Sequence, residues 1–550
     1  KLVECHTSHV STPTVIDPNI QYVDPRAASV ALKTRQLEFD TPKIVSEKIA
    51  ARMTDEMERG LAEDGCEFKM LPSFVCDLPT GKEDGEYLAL DLGGSNFRVL
   101  RFTMHDGIVA LTASRKAKIP PHTMSASSSG EALFEFIAKT VASLPGTTNS
   151  TDTLPLGFTF SFPCTQYALN AGSLVHWTKG FATPGVVGEN VVELLQSAFV
   201  KSNINVYVAA LVNDTVGTLV AHSLEAPDTV LGVILGTGCN ACYVEDIENV
   251  TKWTDAPSSK NKVIINMEWG DFDSSAIPEM WTSVDAEIDA NEHPGSQRFE
   301  KQISGRYLGE ITRLACQRLR KENALFADTD EEIVDAVMQN PHDFLTPMMS
   351  WIQSGEADTP EANFWKQACV KTGDNDFTME LCKAMVQSES RVDAEDAARF
   401  ANFWRLWSNT SDADKVVIRT VCDMVATRAA RFSAAAIGAV VRKTHQENSC
   451  TVAIDGSVFE HYPYFKENMQ IALLEMFGPE KNIKLELSRD GSGKGAAMIA
   501  AVYSDNVISR LSAKEVGAPE AAGSEQQRNQ QGWVRSSIGS IPVFGGPREE

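Results

Sequence analysis

YLALDLGGSNFRVLRFTM, residues 87–104, reads as two apolar strand-like runs joined by a turn at Gly93 and Gly94. A third strand is expected near residues 108–111, so the chain opens on a β-turn-β unit. Working outward, further strands are expected at 154–160, 206–210 and 230–235, with helical patterns between them at 131–144 and 188–202. That alternation argues an α/β fold. Upstream, Val45, Ile49, Met53, Met57 and Leu61 make an apolar stripe ending beside Gly60, a helix that Thr41 is expected to cap and Pro42 to start. Downstream, about 300–445 is mostly of helical period, interrupted at about 354–392 by a polar, acidic stretch that reads as an insertion.

At 550 residues and 43% hydrophobic content the chain is long enough for two lobes and a cleft. Its 50 basic against 74 acidic residues give a net charge of −24, which disfavours nucleic acid and anionic membranes as partners. A bound nucleotide must therefore be held by local dipoles. The longest apolar piece, about 434–441, is far short of the roughly 18 residues of a membrane span. The N-terminal stretch has no apolar signal core, so the 11 cysteines are expected to be reduced thiols in a cytoplasmic protein. Cys239 and Cys242 form the one Cys-x-x-Cys pair, but in an extended segment they point to opposite faces.

Three glycine-bearing segments bear on phosphate. In DLGGSNFR, Asp91 ends an apolar strand, and Gly93 and Gly94 let backbone N–H groups approach a phosphate, with Ser95, Asn96 and Arg98 as further donors. Asp91 can also hold Mg²⁺ through water. LGTGCNACY (235–243) formally matches a dinucleotide fingerprint, but Cys242 and Tyr243 continue as strand, so a phosphate-gripping hairpin is expected. DGSGKGAA (490–497) lacks Walker A spacing and reads as close packing that opens a helix, with ligand contact through backbone or Lys494 as the alternative.

Phosphoryl transfer to an alcohol needs a carboxylate to take the proton, donors to align phosphates, and exclusion of water. Asp214, in VNDTVGTL, follows an apolar strand where it can project into a cleft; the alternative is a plain helix N-cap. Glu268 and Glu300 stand in apolar or aromatic settings, and carboxylates with Asn neighbours match hydroxyls that both donate and accept. Lys179, between aromatic residues in HWTKGF, can help neutralise a transferring phosphate.

Taken in order, LPLGFTFSFPC with AGSLVHWTKGF, EMERGL with KMLPSFV, EYLALDLGGSNFRV, VNDTVGTL, LGTGCNACY, NMEWG, QRFEKQISGRYLGEI and DGSGKGAA resemble the hexokinase family, from about 40 to 504. The resemblance implies a two-lobed actin-like ATPase fold with a ribonuclease H-like motif in each lobe and the active site in the cleft between. It implies transfer of the γ-phosphoryl group of MgATP to the 6-hydroxyl of glucose, with mannose and fructose as further hexoses. Asp214 corresponds to the general base, and Ser161, Thr178, Lys179, Asn213, Asn240, Glu268 and Glu300 to the sugar-binding set. Nucleotide-facing positions correspond to Asp91, Leu92, Gly93, Gly94, Ser95, Asn96 and Arg98, to Gly236, Thr237 and Gly238, to Gly305 and Arg306, and to Ser457, Val458, Phe459, Glu460 and His461. No direct protein ligand to a metal is implied, since Mg²⁺ arrives with ATP.

The expected organisation is a disordered arm (1–38), a helix and linker (39–84), a small domain (85–214), a large domain (215–488), a returning helix (489–510) and a disordered tail (511–550). Monomer and homodimer fit equally. Three departures from the family pattern stand out: Ser95 for Thr; Asp271 and Asp273 in place of Ala-Phe-Gly's small residues, adding two charges beside Glu268; and Pro347 for a lysine, removing a phosphate-facing cation. Other functions on related folds are a sugar sensor without catalysis, which would lack Asp214 or Lys179, and an actin-like ATPase, which would lack the SFPC to WTKGF segment.

Overall fold

A computed structural model describes residues 39–93, 96–147, 153–178, 180–354 and 394–515. The expected arm (1–38), Gly94, Ser95, Lys179, nearly all of the insertion about 354–392, and the tail beyond 515 lie outside the described residues. By packing, the described residues up to Val502 make one unit, and those from Tyr503, the end of the helix Gly491–Glu515, a second.

The strands of the first unit are, in chain order, β1 (Leu71–Pro72), β2 (Gly85–Leu92), β3 (Asn96–His105), β4 (Ile108–Lys118), β5 (Leu154–Phe160), β6 (Cys164–Ala168), β7 (Ala171–Leu174), β8 (Val206–Val212), β9 (Thr229–Leu235), β10 (Cys239–Asp246), β11 (Lys262–Asn266), β12 (Ser449–Asp455) and β13 (Asn482–Leu487). One sheet runs β4-β3-β2-β5-β8 and the other β1-β11-β10-β9-β12-β13, while β6 and β7 pair apart. In the first, β2-β3-β4 is an antiparallel meander and β5 and β8 add in parallel. In the second, β9-β10-β11 and then β12 and β13 repeat that order and those directions. The same five-strand topology twice is the ribonuclease H-like pair of an actin-like fold.

Sequence chemistry explains the layering. β5 and β8 are buried at every residue, as parallel strands covered on both faces must be. β4 lies at an edge with a mostly exposed face and carries Arg115, Lys116 and Lys118, charges that discourage edge-to-edge pairing. The helix Gly130–Ala142, capped by Ser129, and the helix Val191–Lys201, capped by Asn190, pack their apolar stripes in the core of this sheet. The helix Lys43–Ala62 buries Val45, Ile49, Met53, Met57 and Leu61 in the core of the other sheet. Its N-cap is Pro42, without a side-chain cap; Thr41 instead hydrogen-bonds the Phe39 carbonyl at 3.5 Å.

The helix Asp412–Lys443 corrects the expectation of one short apolar piece at 434–441. It is long and apolar enough to cross a membrane by length and composition, and 94% of its most apolar 18-residue window is buried inside the protein. Arg428 and Arg431 interrupt the apolar run in sequence yet are buried, because Arg428 binds Asp285 through two bonds of 2.8 and 2.9 Å and Arg431 pairs with Glu475. Burying a guanidinium requires such a partner. The final helix, Gly491–Glu515, begins against both sheets' neighbours and runs past its expected end at 510.

Candidate active site

β8 delivers the chain to the helix Asp214–Ser223 at the junction of the two sheets. Asn213 is the N-cap: its Oδ1 accepts from the Thr215 backbone N at 2.9 Å and from Thr215 Oγ1 at 2.6 Å. The cap is therefore not Asp214. Asp214 occupies the first helical position, where Oδ1 accepts from the Thr215 N at 2.9 Å and Oδ2 lies 3.5 Å from the Ser161 hydroxyl. A helix N-terminus favours negative charge, and Asn213 takes the cap position, so Oδ2 of Asp214 is turned toward Ser161. Ser161 stands beside the first glycine turn, since a Cβ on Gly93 would lie 3.7 Å from its Oγ.

That turn is held from behind. Asp91 Oδ2 accepts from Arg98 Nη2 at 2.8 Å and from Ser492 Oγ at 3.4 Å, and the other Arg98 nitrogen reaches Asp490. Arg98 was expected to offer donors to phosphate, but its guanidinium faces these two carboxylates, and burial is outweighed by their charge in keeping it protonated. Leu92 is buried and serves through its backbone, the carbonyl accepting from the Ser161 N at 3.2 Å. Asn96 begins β3. Thr178 is half-buried, and the Phe181 N donates to its carbonyl at 3.2 Å. An aromatic cluster props this segment: Trp177 stacks on Phe181 with centroids 4.9 Å apart, and Phe162 meets both edge-on.

Across the junction, Asn240 Nδ2 donates to Asn266 Oδ1 at 2.9 Å and lies 3.1 Å from Glu268 Oε1, to which Asn266 Nδ2 also donates at 2.8 Å. Glu268 has left-handed backbone, φ 56° and ψ 45°, of the kind stored at functional sites when neighbours over-determine it. Glu300 Oε2 accepts from the Cys239 N at 2.9 Å, and a Cβ on Gly238 would stand 2.7 Å from the same oxygen, so a larger residue there would push the carboxylate aside. The second turn closes on itself, Gly236 N to Gly238 O at 3.0 Å, and is buttressed by Gly305 N to Gly236 O at 2.7 Å and Arg306 N to Thr237 O at 3.1 Å. Gly456, at φ 127°, brings the helix Ser457–His461 against it, since any Cβ there would lie 2.3 Å from Leu235 backbone. Val458 and Phe459 are buried, Glu460 pairs with Arg489 at 2.8 Å, and the His461 carbonyl accepts from Ser350 at 3.1 Å.

Two hexokinase family models match the chain, over residues 31–224 and 230–502. Hexokinase-2 of Arabidopsis thaliana is 37% identical over 493 residues, 86% of this chain and 90% of that protein. The chain belongs to the hexokinase family. Hexokinase-7 of Oryza sativa subsp. japonica is 36% identical, spanning 87% of this chain and 98% of its own. Among solved structures, the hexokinase from Schistosoma mansoni complexed with glucose is similar at 33% identity and a TM-score of 0.68, covering 86% of this chain and 99% of that one.

Two residues of this hexokinase site escaped the sequence reading. Asn266 faces Cys242 in the β10-β11 register, and residues two apart share a face, so it meets Asn240. Its clue was position, two residues before Glu268. Asp455 ends β12 ahead of Gly456, repeating the strand-Asp pattern of Asp91, and burial with Asp490 nearby pushes its carboxyl up to about 6. The departures are also placed. Asp271 and Asp273 are neutralised by Lys69 and Arg298, at 2.8 and 2.7 Å. Thr346, beside Pro347, donates to the Gly305 carbonyl at 2.6 Å. Lys494 pairs with Glu225 at 2.6 Å. Cys239 and Cys242 are buried, and burial raises the Cys242 thiol to about 12, unsuited to thiolate chemistry.

Proposed function

We propose that this hexokinase moves the γ-phosphoryl group of ATP onto the 6-hydroxyl of glucose, and of mannose and fructose, with Asp214 as general base. The observation that carries the assignment is the division of labour at the helix start: Asn213 caps, and Asp214 turns a carboxylate oxygen toward Ser161 beside the first glycine turn. A carboxylate so placed accepts the hydroxyl proton as the oxygen attacks phosphorus. Asn240, Asn266 and Glu268 form a chain of donors and acceptors matched to sugar hydroxyls, and Glu300, on the helix Arg298–Ile303, stands against the second turn beside them. A site built to hydrogen-bond hydroxyls rejects ligands that leave it unpaired.

Backbone N–H groups of the two turns supply the phosphate donors, and Lys179, by family correspondence, adds positive charge. Among the described residues no group of three His, Cys, Asp or Glu side chains is arranged to hold a metal ion. Asp91 is the hard-oxygen group suited to Mg²⁺ through water; Oδ2 is engaged by Arg98 and Ser492, while Oδ1 lies 4.0 Å from where a Gly93 Cβ would stand. When bound with ATP, Mg²⁺ neutralises phosphate charge. The eight described cysteines are all unbridged, and a reducing cytoplasm is the compartment we propose.

The test is ADP formation with MgATP, measured with glucose, with mannose and fructose, and without sugar. Glucose-dependent turnover far above the sugar-free rate is expected. Glucose binding with no sugar-dependent turnover would make the chain a sensor and sink the proposal.

A further inference from the structure

The loop that leaves Glu268 and the turn that precedes Glu300 are both strained. Glu268 sits at φ 56° and Gln297 at φ 53°, left-handed backbone that ordinary residues enter at a cost. The side chains of Asp271 and Asp273 hold the two together, Asp271 foremost. Asp271 Oδ1 accepts from the Gln297 backbone N at 3.0 Å and from Gln297 Nε2 at 2.7 Å, while Oδ2 meets Lys69 Nζ at 2.8 Å. Asp273 adds a second tie, to Arg298 at 2.7 Å, and its backbone N donates to Glu67 at 3.1 Å. Gly270 fits beneath, since a Cβ there would stand 2.4 Å from Gln297 Oε1 and 3.3 Å from the Glu300 Cβ. The Glu268 loop is thus pressed onto the helix Arg298–Ile303 that carries Glu300.

Lys69 is the outer anchor. Burial works against its charge, but the Asp271 hydrogen bond and the charges of Asp271 and Glu268 keep the ammonium protonated. The Lys69 segment is itself fixed to the sheet, Met70 N to Met267 O at 3.3 Å and β1 to β11. The Glu300 helix has other supports, the buried Lys301–Asp289 pair at 2.8 Å and the Gln302 bond to the Met280 carbonyl at 2.7 Å. Loss of Asp271 therefore leaves the helix folded and loosens its position relative to Glu268, with the Asp273–Arg298 pair as the remaining tie.

Building on the hexose-kinase reading above, we propose that Asp271 is a positioning residue for hexose affinity: by bridging Lys69 and Gln297 it locks the Glu268 loop and the Glu300 helix into one preformed half of the sugar site. Preformed groups bind without an ordering cost at the moment of binding. The bridge itself makes no bond to the nucleotide turns; the helix it ties meets the second turn only through Glu300 and the residues that follow the helix, so the larger effect is expected on the sugar.

The test uses the full chain with Asp271→Ala and Asp271→Asn, and initial rates of ADP formation at varied glucose and varied MgATP. Asp271→Ala is expected to raise the glucose KM about tenfold, the factor that one charge-assisted hydrogen bond commands. Its MgATP KM and kcat should stay within about twofold of wild type, a change in ground-state sugar binding alone. Asp271→Asn keeps a carbonyl that accepts from Gln297 but sets an amide donor against Lys69, and should recover only part of the affinity. An unchanged glucose KM in the Ala variant overturns the proposal, as does a parallel loss in kcat and both KM values with a lowered Tm, the mark of general destabilisation. Glucose titration calorimetry on the same three proteins separates the two readings. If wild type shows no sugar-dependent turnover, the kinase reading fails, and a tenfold or an unchanged Kd ratio still decides for or against the bridge.

Discussion

Gly495→Ala tests the packing that seats the Asp214 helix. A Cβ on Gly495 would stand 1.9 Å from the Gly217 carbonyl oxygen and 2.4 Å from its carbon, and Gly217 lies one helical turn past Asp214. Reciprocally, a Cβ on Gly217 would meet the Ser492 carbonyl oxygen at 2.6 Å, and one on Gly157 the Ala496 oxygen at 2.0 Å. Every one of these obstacles is backbone, so no side chain can swing aside. The helices must separate by about 1 Å to reach a tolerable contact. Two terms compete. Ala in place of Gly favours an isolated helix by about 1 kcal/mol, whereas overpacking of this kind costs about 1–3 kcal/mol or more. Since the clash is rigid, the top of that range applies and a net loss of about 2 kcal/mol is expected. For a cooperative unit of this size, with about 2.1 cal/mol/K of unfolding entropy per residue, that is a Tm fall of roughly 2 °C. Differential scanning calorimetry on wild type and variant, with kcat for glucose phosphorylation alongside, reads both consequences. Because the displaced helix begins at Asp214, kcat should fall with Tm. A variant as stable as wild type, with unchanged kcat, would refute the close approach of the two helices.

Asp214→Ala should fold normally, with unchanged Tm and circular dichroism, and lose about 10²–10⁴-fold in kcat, as removal of a general base does; turnover near wild type would remove Asp214 from that role. Asn266→Ala strips Glu268 and Asn240 of a shared partner and should lower kcat/KM for glucose about tenfold or more, while kcat/KM for MgATP at saturating sugar falls less. Asp455 supplies a pH signature. Burial raises its carboxyl from 3.8 to about 6, so the folded state binds the proton more tightly than the unfolded state, and stability contributed by the protonated form is lost as pH rises from about 4 to about 6. Asp455→Asn should flatten that slope and gain up to about 3 kcal/mol at pH 7; denaturant midpoints that keep the wild-type pH slope would show that Asp455 does not titrate there.

Much of this protein was legible before any coordinates. The hairpin at 87–104 and the strands at 154–160 and 230–235 were readable because apolar runs bounded by glycine turns admit few other structures. Asp214 and the turns at Gly93 and Gly236–Gly238 could be singled out because a strand end is where a sheet presents functional groups. Less was legible where a residue's partner lies far along the chain. Arg98 reads as a phosphate donor until Asp490 comes beside it. Asp214 reads equally as a base or a cap until Asn213 takes the two bonds of the capping role. Asn266 is one polar residue among many until strand register sets it against Asn240 and Glu268. The GSGKG segment reads as close packing, and what it packs on is shown only when Gly495 lies on Gly217.

Sequence by itself thus determined the elements and the chemistry on offer, because periodicity, glycine turns and strand-end acids act over a few residues. Tertiary structure alone decided which donor each carboxylate keeps. Asp91 binds Ser492 across 401 positions and Arg98 reaches Asp490 across 392, and such partners are chosen by the packing of whole sheets and helices, for which no local pattern exists.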